Sequence, residues 1–297
     1  MNANGVYLFI INPKAGAGKG LRIDVAISII AKNHNVNFEI IFTEYAGHAF
    51  EIAKNADSKK YKVLIAVGGD GTINEVGRGL INKSLPMAIV PMGSGNGLAR
   101  YSKIPLSAIK AIKNSFTGKQ VAMDVIKINT HFSFNVSGVG FDSAVAHQFQ
   151  HLYTRGFWGY FKLIVKLMFQ FKPIEVNIDL SANDVSKNIK DRVFILAIAN
   201  SNQFGNNAII APAADTTDGK FNLVLVKPFS VFKMPYYAFM MFTNRFDKIK
   251  AVINIEAAQC SIRTVTNEWH IDGEPVVFDN TVEVKILPLA IQLIVPQ

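Results

Sequence analysis

Along the first 117 residues, short β-rich apolar runs alternate with segments whose apolar positions recur at helical spacing. Strands are expected at residues 6–12, 37–43, 62–67 and 87–91. A helix with Ile23, Ala26, Ile27 and Ile30 on one face follows the first strand, and further helices are expected at 47–56, 72–81 and 105–116. Such βαβα alternation predicts a parallel, doubly wound sheet, whose ligands bind in the loops at the carboxyl ends of the strands.

After Gly118 the rhythm changes to β-branched and aromatic runs at 121–128, 132–136, 192–199 and 221–226, with shorter ones at 251–255, 261–265, 276–278 and 282–286. This region predicts a β-sandwich. The expected domains are therefore an α/β domain at 1–118 and a β-sandwich domain at 119–286, with a boundary near Lys119; the last residues, about 287–297, can return to the first domain. The polar segment 181–190 reads as an exposed loop between strands. Two aromatic-rich segments interrupt the β region, at 149–171 and 229–246. The first combines Tyr153, Phe157, Trp158, Tyr160, Phe161, Phe169 and Phe171 with Arg155, Lys162, Lys166 and Lys172, a mixture suited to an anionic membrane interface. The plainer reading of both is a core helix.

The 297 residues, 49% hydrophobic, can fill substantial cores, and no apolar stretch approaches the roughly 20 residues of a membrane span. No basic leader precedes the first strand, so a cytoplasmic protein is expected. The single cysteine, Cys260, excludes an intrachain disulfide and a multi-cysteine metal site, and is expected in the core. Lys and Arg number 31 against 22 Asp and Glu, a net charge of +9 that favours anionic partners. The basic residues are spread along the chain and no nucleic-acid-binding signature occurs, so no nucleic-acid partner is expected.

The run Gly68-Gly69-Asp70-Gly71-Thr72 follows an apolar strand and opens a helix. Glycines let backbone N–H groups approach phosphate oxygens, and the helix N-terminus adds its positive end to the same place. Thr72 can cap that helix. Asp70 would be repelled by phosphate, so it is expected to order the loop or to hold a cation or polar group. A second glycine loop, Gly93-Ser94-Gly95-Asn96-Gly97, follows the next strand, and Asn12-Pro13-Lys14-Ala15-Gly16 and Thr43-Glu44 follow the first two. The stretch Gly16 to Gly20 fits neither the P-loop nor the dinucleotide fingerprint, because Pro13 and Gly20 stand where the P-loop needs Gly and Ser or Thr, and the glycines fall at positions one, three and five.

Two acidic clusters stand in the β region. Asp215 and Asp218, with a backbone carbonyl, could supply hard oxygen ligands to Mg²⁺, or form an ordinary surface turn. Asp272 and Glu274 lie two apart, on one face if extended, where either could take a proton from an attacking hydroxyl; the alternative is a hairpin turn with incidental acids. No His-Glu-x-x-His or Gly-x-Ser-x-Gly motif supports a zinc enzyme or a hydrolase.

On these loops, the chain resembles the diacylglycerol kinase catalytic-domain family, which includes the soluble bacterial diacylglycerol kinases and the sphingosine and ceramide kinases. The resemblance runs from Asn12-Pro13 through Thr43-Glu44, Gly47-His48-Ala49, Gly68 to Glu75, Gly93 to Asn96, Phe134 to Asp142 and Pro212 to Gly219, and ends at Asp272-Gly273-Glu274. It implies ATP held by Asn12, Pro13, Lys14, Ala15, Gly16, Thr43, Gly69, Asp70, Gly71, Thr72, Ile73, Asn74, Glu75 and Ser94, in a crevice between the two domains, with Asp70 in the active centre. It also implies that Asp272 and Glu274 activate the lipid hydroxyl, and that Asp215, Asp218 and the Lys220 carbonyl hold a structural Mg²⁺. The implied reaction is transfer of the ATP γ-phosphoryl group to a lipid alcohol of the diacylglycerol or sphingoid-base type, by an enzyme in peripheral contact with a membrane; a homodimer is compatible with it. Gly97 departs from the pattern, because the soluble bacterial diacylglycerol kinases usually carry Asp there and the Gly-Ser-Gly-Asn form looks more like the sphingosine kinases. The rival readings are an NAD kinase-like enzyme, which shares Gly-Gly-Asp-Gly-Thr, and a lipid-binding or regulatory protein without catalysis.

Overall fold

The computed structural model describes residues 5–16, 23–149, 157–182 and 185–297. The chain divides into two compact units, Met1–Val125 with Pro288–Gln297, and Ile126–Leu287. The strands β5 (Lys119–Ile128) and β16 (Thr281–Val295) carry the chain from one unit to the other.

In the first unit, β1 (Val6–Ile11), β2 (Phe38–Phe42), β3 (Tyr61–Gly68) and β4 (Met87–Pro91) pair in the order β2-β1-β3-β4, all parallel, and Leu293 of β16 extends the sheet parallel to Met87. Parallel neighbours require crossovers, supplied here by α1 (Ile23–Asn33), α2 (His48–Asn55) and α3 (Asp70–Leu80). After β4 the chain forms α4 (Gly97–Tyr101) and α5 (Ala108–Thr117). Helix α2 packs on α3, and α1 on α5. With both sheet faces covered, the central strands are buried on both sides, from Val63 to Gly68 and throughout Met87–Pro91. That is why these strands read as unbroken apolar runs.

The second unit holds two antiparallel sheets. In one, β8 (Ile174–Ala182) and β9 (Val185–Val193) form a hairpin that continues through β13 (Gln259–Thr264) to β16, and the end of β5 pairs with β6 (His131–Ser133). The other runs in the order β12 (Val252–Ala257), β11 (Phe221–Val226), β10 (Ile195–Ala199), β7 (Val136–Gly140), β14 (Glu268–Ile271), β15 (Glu274–Val277). The two sheets enclose a core that includes Trp269, Ile198, Leu223, Ile262 and Val282. The outer face of the second sheet is covered by α6 (Phe141–Phe149), α7 (Phe157–Gln170) and α8 (Met234–Phe242). Alternation is therefore visible within apolar strands: Leu196 and Ile198 enter the inter-sheet core, while Ile195, Ala197 and Ala199 pack under the helices.

Several local expectations change. Helix α3 starts at Asp70 with Gly69 as its extended N-cap, so Thr72 lies inside the first turn and does not cap it. The segment 181–190 is not a loop: apart from residues 183–184, outside the described residues, it belongs to the β8–β9 hairpin. Lys187, Asn188 and Lys190 are exposed there, and Ile189 packs against the core. The run 132–136 divides between β6 and β7, in different sheets, and Phe134 and Asn135 form the link. Tyr153 and Arg155 of the first aromatic segment lie outside the described residues, as do positions 17–20 of the Gly16 to Gly20 stretch. Among the described residues, no helix is long and apolar enough to cross a membrane.

Candidate active site

In the first unit, β1, β3 and β4 end side by side, and their loops converge. Asn12 closes a turn on itself, its side-chain oxygen accepting the Lys14 N–H at 3.0 Å while its Nδ2 donates to the Thr72 hydroxyl at 3.3 Å. The two glycine loops touch: a Cβ on Gly93 would stand 2.9 Å from the Gly69 Cα. Only a residue without a side chain permits that approach.

Asp70 locks the two loops together. Its carboxylate accepts the Asn96 and Gly97 backbone N–H groups, each at 3.0 Å. These are charge-assisted bonds to N–H groups at the start of α4, helped by the positive end of that helix. Asn96 sits in the left-handed region at φ 50 and bonds back to Gly93 through both its amide atoms, at 3.0 and 2.7 Å. Of the two roles expected for Asp70, loop ordering is the one its contacts support. Glu75 acts similarly one turn on, accepting the N–H groups of Gly47 and Ala49 at 2.9 and 3.1 Å and so fixing the start of α2. Thr43 follows β2 and donates its N–H to the Ile11 carbonyl at 2.8 Å, and Ser94 is exposed at the loop tip.

In the second unit, Asp272 and Gly273 form the two-residue turn between β14 and β15, with Ile271 paired to Glu274. Both turn residues have positive φ, 50 and 90, as the type I′ hairpin requires, and Asp-Gly suits it. The chain therefore reverses between the two acids, and they do not share the face of an extended strand. The Asp272 carboxylate turns inward onto the β6–β7 link, accepting the Ser133 hydroxyl at 2.6 Å and the Phe134 and Asn135 N–H groups at 3.0 and 2.9 Å. Its own N–H donates to the Ser137 hydroxyl at 3.2 Å. Glu274 is exposed.

Beneath the turn, His270 is buried with its Nδ1 accepting the Gly273 N–H at 3.2 Å and its Nε2 2.9 Å from Asp142 Oδ2. No role for this pair was legible in the sequence. The available signal was a histidine next to Trp269 in a short strand leading into the Asp-Gly turn.

The third cluster is a solvent-facing turn. Asp215 accepts the Thr217 N–H and hydroxyl at 2.9 and 2.7 Å, and Asp218 accepts the Lys220 N–H at 2.9 Å. Partial desolvation, then the neighbouring Asp215, raises the Asp218 carboxyl above its ordinary range. The Lys220 ammonium pairs with Glu256 at 2.7 Å. Among the described residues no group of three or more His, Cys, Asp or Glu gathers as a metal cluster.

Residues 6–128 match the diacylglycerol kinase catalytic domain, and residues 135–295 match the YegS C-terminal NAD kinase beta sandwich-like domain. The chain belongs to the diacylglycerol kinase catalytic-domain family. It is a lipid kinase. It is 26% identical to a diacylglycerol kinase of Staphylococcus carnosus (strain TM300) over 89% of this chain and 87% of that protein. It is also 26% identical to a diacylglycerol kinase of Bacillus subtilis (strain 168), over 78% of this chain and 77% of that protein. The fold matches the crystal structure of a diacylglycerol kinase from Bacillus anthracis str. Sterne with a TM-score of 0.73, at 18% identity over 99% of this chain and 98% of that one. The α/β domain followed by a β-sandwich agrees with the architecture expected from the sequence.

Proposed function

We propose that this lipid kinase uses ATP and Mg²⁺ to phosphorylate the hydroxyl of a lipid alcohol of the diacylglycerol or sphingoid-base class at a membrane surface. The observation that carries the acceptor side is the Asp272-Gly273 hairpin, held by its inward carboxylate and by His270 while the Glu274 carboxylate remains exposed. Glu274 is the general base: it takes the hydroxyl proton as the lipid oxygen bonds to the γ-phosphorus, the bond to the bridging oxygen breaks, and ADP leaves. Asp272 is a positioning residue, since its oxygens are engaged with Ser133, Phe134 and Asn135.

The donor side fits a nucleotide triphosphate. The N-terminal end of α3 after Gly69 offers its first-turn N–H groups to the phosphates, and the close-packed glycines keep side chains out of the phosphate path. The Asn12 to Gly16 turn brings the exposed Lys14 to the neighbouring strand end, and Ser94 and Thr43 offer hydroxyls at the rim. We assign the cation to the Asp215–Asp218 turn, whose two carboxylates and Lys220 carbonyl are hard oxygen donors and whose Lys220 ammonium is paired with Glu256. A cation bound there would offset the repulsion between the two carboxylates and brace the turn leading into β11.

The deciding assay incubates purified protein with radiolabelled ATP and Mg²⁺ and a panel of diacylglycerol, monoacylglycerol, sphingoid base and ceramide in mixed micelles. Phosphorylation of at least one is expected, with soluble NAD untouched. Label in none of the lipids would sink the assignment, and label in NAD alone would replace it with an NAD kinase.

A further inference from the structure

Helix α8 carries two opposed faces. Tyr237 is buried, stacked on Phe229 with ring centroids 3.9 Å apart, and this side packs on the outer face of the second sheet. The opposite side presents Phe232 (89% exposed), Tyr236, Phe239 and Phe242, spaced four, three and three residues apart through the preceding helical turn and α8 itself. On α7, packed in the same core, Leu163 and Leu167 point inward while Lys162, Lys166 and Phe169 are exposed. Of the seven large aromatic residues that are exposed among the described residues, four lie on α8 and the turn before it and a fifth is Phe169 of α7, Phe42 and Tyr45 being the others.

The charge around these rings has one sign. Lys233, Arg245, Lys248 and Lys250 flank α8, with Asp247 the only acid between 227 and 250, and it pairs with Lys248 at 3.3 Å. Residues 157–173, spanning α7, contain no acid. A protein partner would need its own apolar groove with an acidic rim. An anionic lipid interface supplies both properties at once, because rings seat among acyl chains and glycerol groups while flanking cations meet the headgroup phosphates.

We infer that the outer face of α8, extended by Phe169 of α7, is the docking surface that seats this enzyme on an anionic membrane. The inference rests on the lipid-kinase reading for its purpose, but not for its test. Phe232, Phe239 and Phe242 are more than half exposed and stand outside the core cluster, so their substitution leaves the fold intact. Pro235 at the start of α8, and Thr243, which donates its N–H and hydroxyl to the Phe239 carbonyl at 3.0 and 2.8 Å, hold the helix without the exposed rings.

The experiment is flotation of the full chain, without ATP, on vesicles of phosphatidylcholine alone or mixed equally with phosphatidylglycerol. Binding to the mixed vesicles is expected, weakened by salt. The triple variant Phe232→Ser, Phe239→Ser, Phe242→Ser should lower partitioning by about tenfold or more with an unchanged melting temperature. In a second variant, Phe239→Trp, the added indole emission, read as the difference from the parent chain, should shift to the blue on adding the mixed vesicles. Equal binding by the triple variant, or an added emission that does not move, overturns the proposal. So does a blue shift that appears without vesicles as the protein dimerises, which would assign the face to a second copy. A chain that docks but phosphorylates no lipid would leave the docking surface standing and remove the kinase reading, whereas phosphorylation of a monomeric short-chain alcohol without docking would do the reverse.

Discussion

His270 and Asp142 form a buried pair, with the imidazole Nε2 2.9 Å from the carboxylate. Because Nδ1 accepts the Gly273 N–H, the ring proton resides on Nε2 and donates to Asp142. Asp142 Oδ1 in turn accepts the Ser143 N–H at 2.9 Å at the start of α6. A line of hydrogen bonds thus runs from that helix to the turn that presents Glu274.

Asp142→Asn should therefore act through the turn. The expected result is a kcat loss of about 10²-fold, the scale of a small misplacement of a reacting group, with the KM for ATP little changed. Steady-state kinetics with both substrates varied checks this, and a rise confined to the KM for ATP would contradict it.

The two acids of the hairpin should separate in their effects. Glu274→Gln removes the proposed base and is expected to lower kcat by about 10² to 10⁴, while leaving the melting temperature unchanged because the side chain is exposed. Asp272→Asn strips charge from three hydrogen bonds that hold the β6–β7 link, and should cost about 1–3 kcal/mol of stability as well as activity. Denaturant unfolding of both variants distinguishes the base from the anchor.

On the donor side, Asp70→Ala leaves the Asn96 and Gly97 N–H groups without their acceptor and should cost about 1–3 kcal/mol. Gly93→Ala forces a Cβ to within 2.9 Å of the Gly69 Cα and spreads the same two loops. Both variants should bind nucleotide more weakly, readable by calorimetry without any lipid present. Unaltered affinity in the two together would remove these loops from the nucleotide site.

Cys260 sets an alkaline limit. Burial, with the Glu283 charge adding to it, pushes its thiol from 9.0 up to about 12. The protonated thiol is favoured by the fold, so this contribution is complete below pH 9 and is lost as pH rises from about 9 toward 12, because the unfolded chain releases the proton first. Native protein should resist iodoacetamide at pH 8.5 and lose stability progressively above pH 9, and Cys260→Ala should flatten that part of the curve.

The order of strands, helices and glycine loops was legible along the chain, because periodicity and Gly-Gly-Asp-Gly-Thr are local properties. The β8–β9 hairpin was not, because Lys187, Asn188 and Lys190 are exposed around Ile189 and no apolar alternation marks the strand there. The aromatic segments admitted two readings in sequence, membrane interface or core, and the fold divides them by face: Tyr237 is in the core while Phe239, two positions on, is in solvent.

What the sequence determined by itself was the chemistry on offer: a glycine cradle after β3, a second after β4, paired acids at Asp215 and Asp218, and an Asp-Gly-Glu turn. Tertiary structure decided the division of labour. Asp70 became a clasp and Asp272 an anchor because each carboxylate meets backbone N–H groups more than twenty residues away in the chain, at Asn96 and Gly97 and at Phe134 and Asn135. Glu274 lies exposed beyond the reversal at Asp272 and Gly273. Side-chain identity fixes which proton a carboxylate could take; only the partners folding brings to it decide whether its lone pairs are already in use.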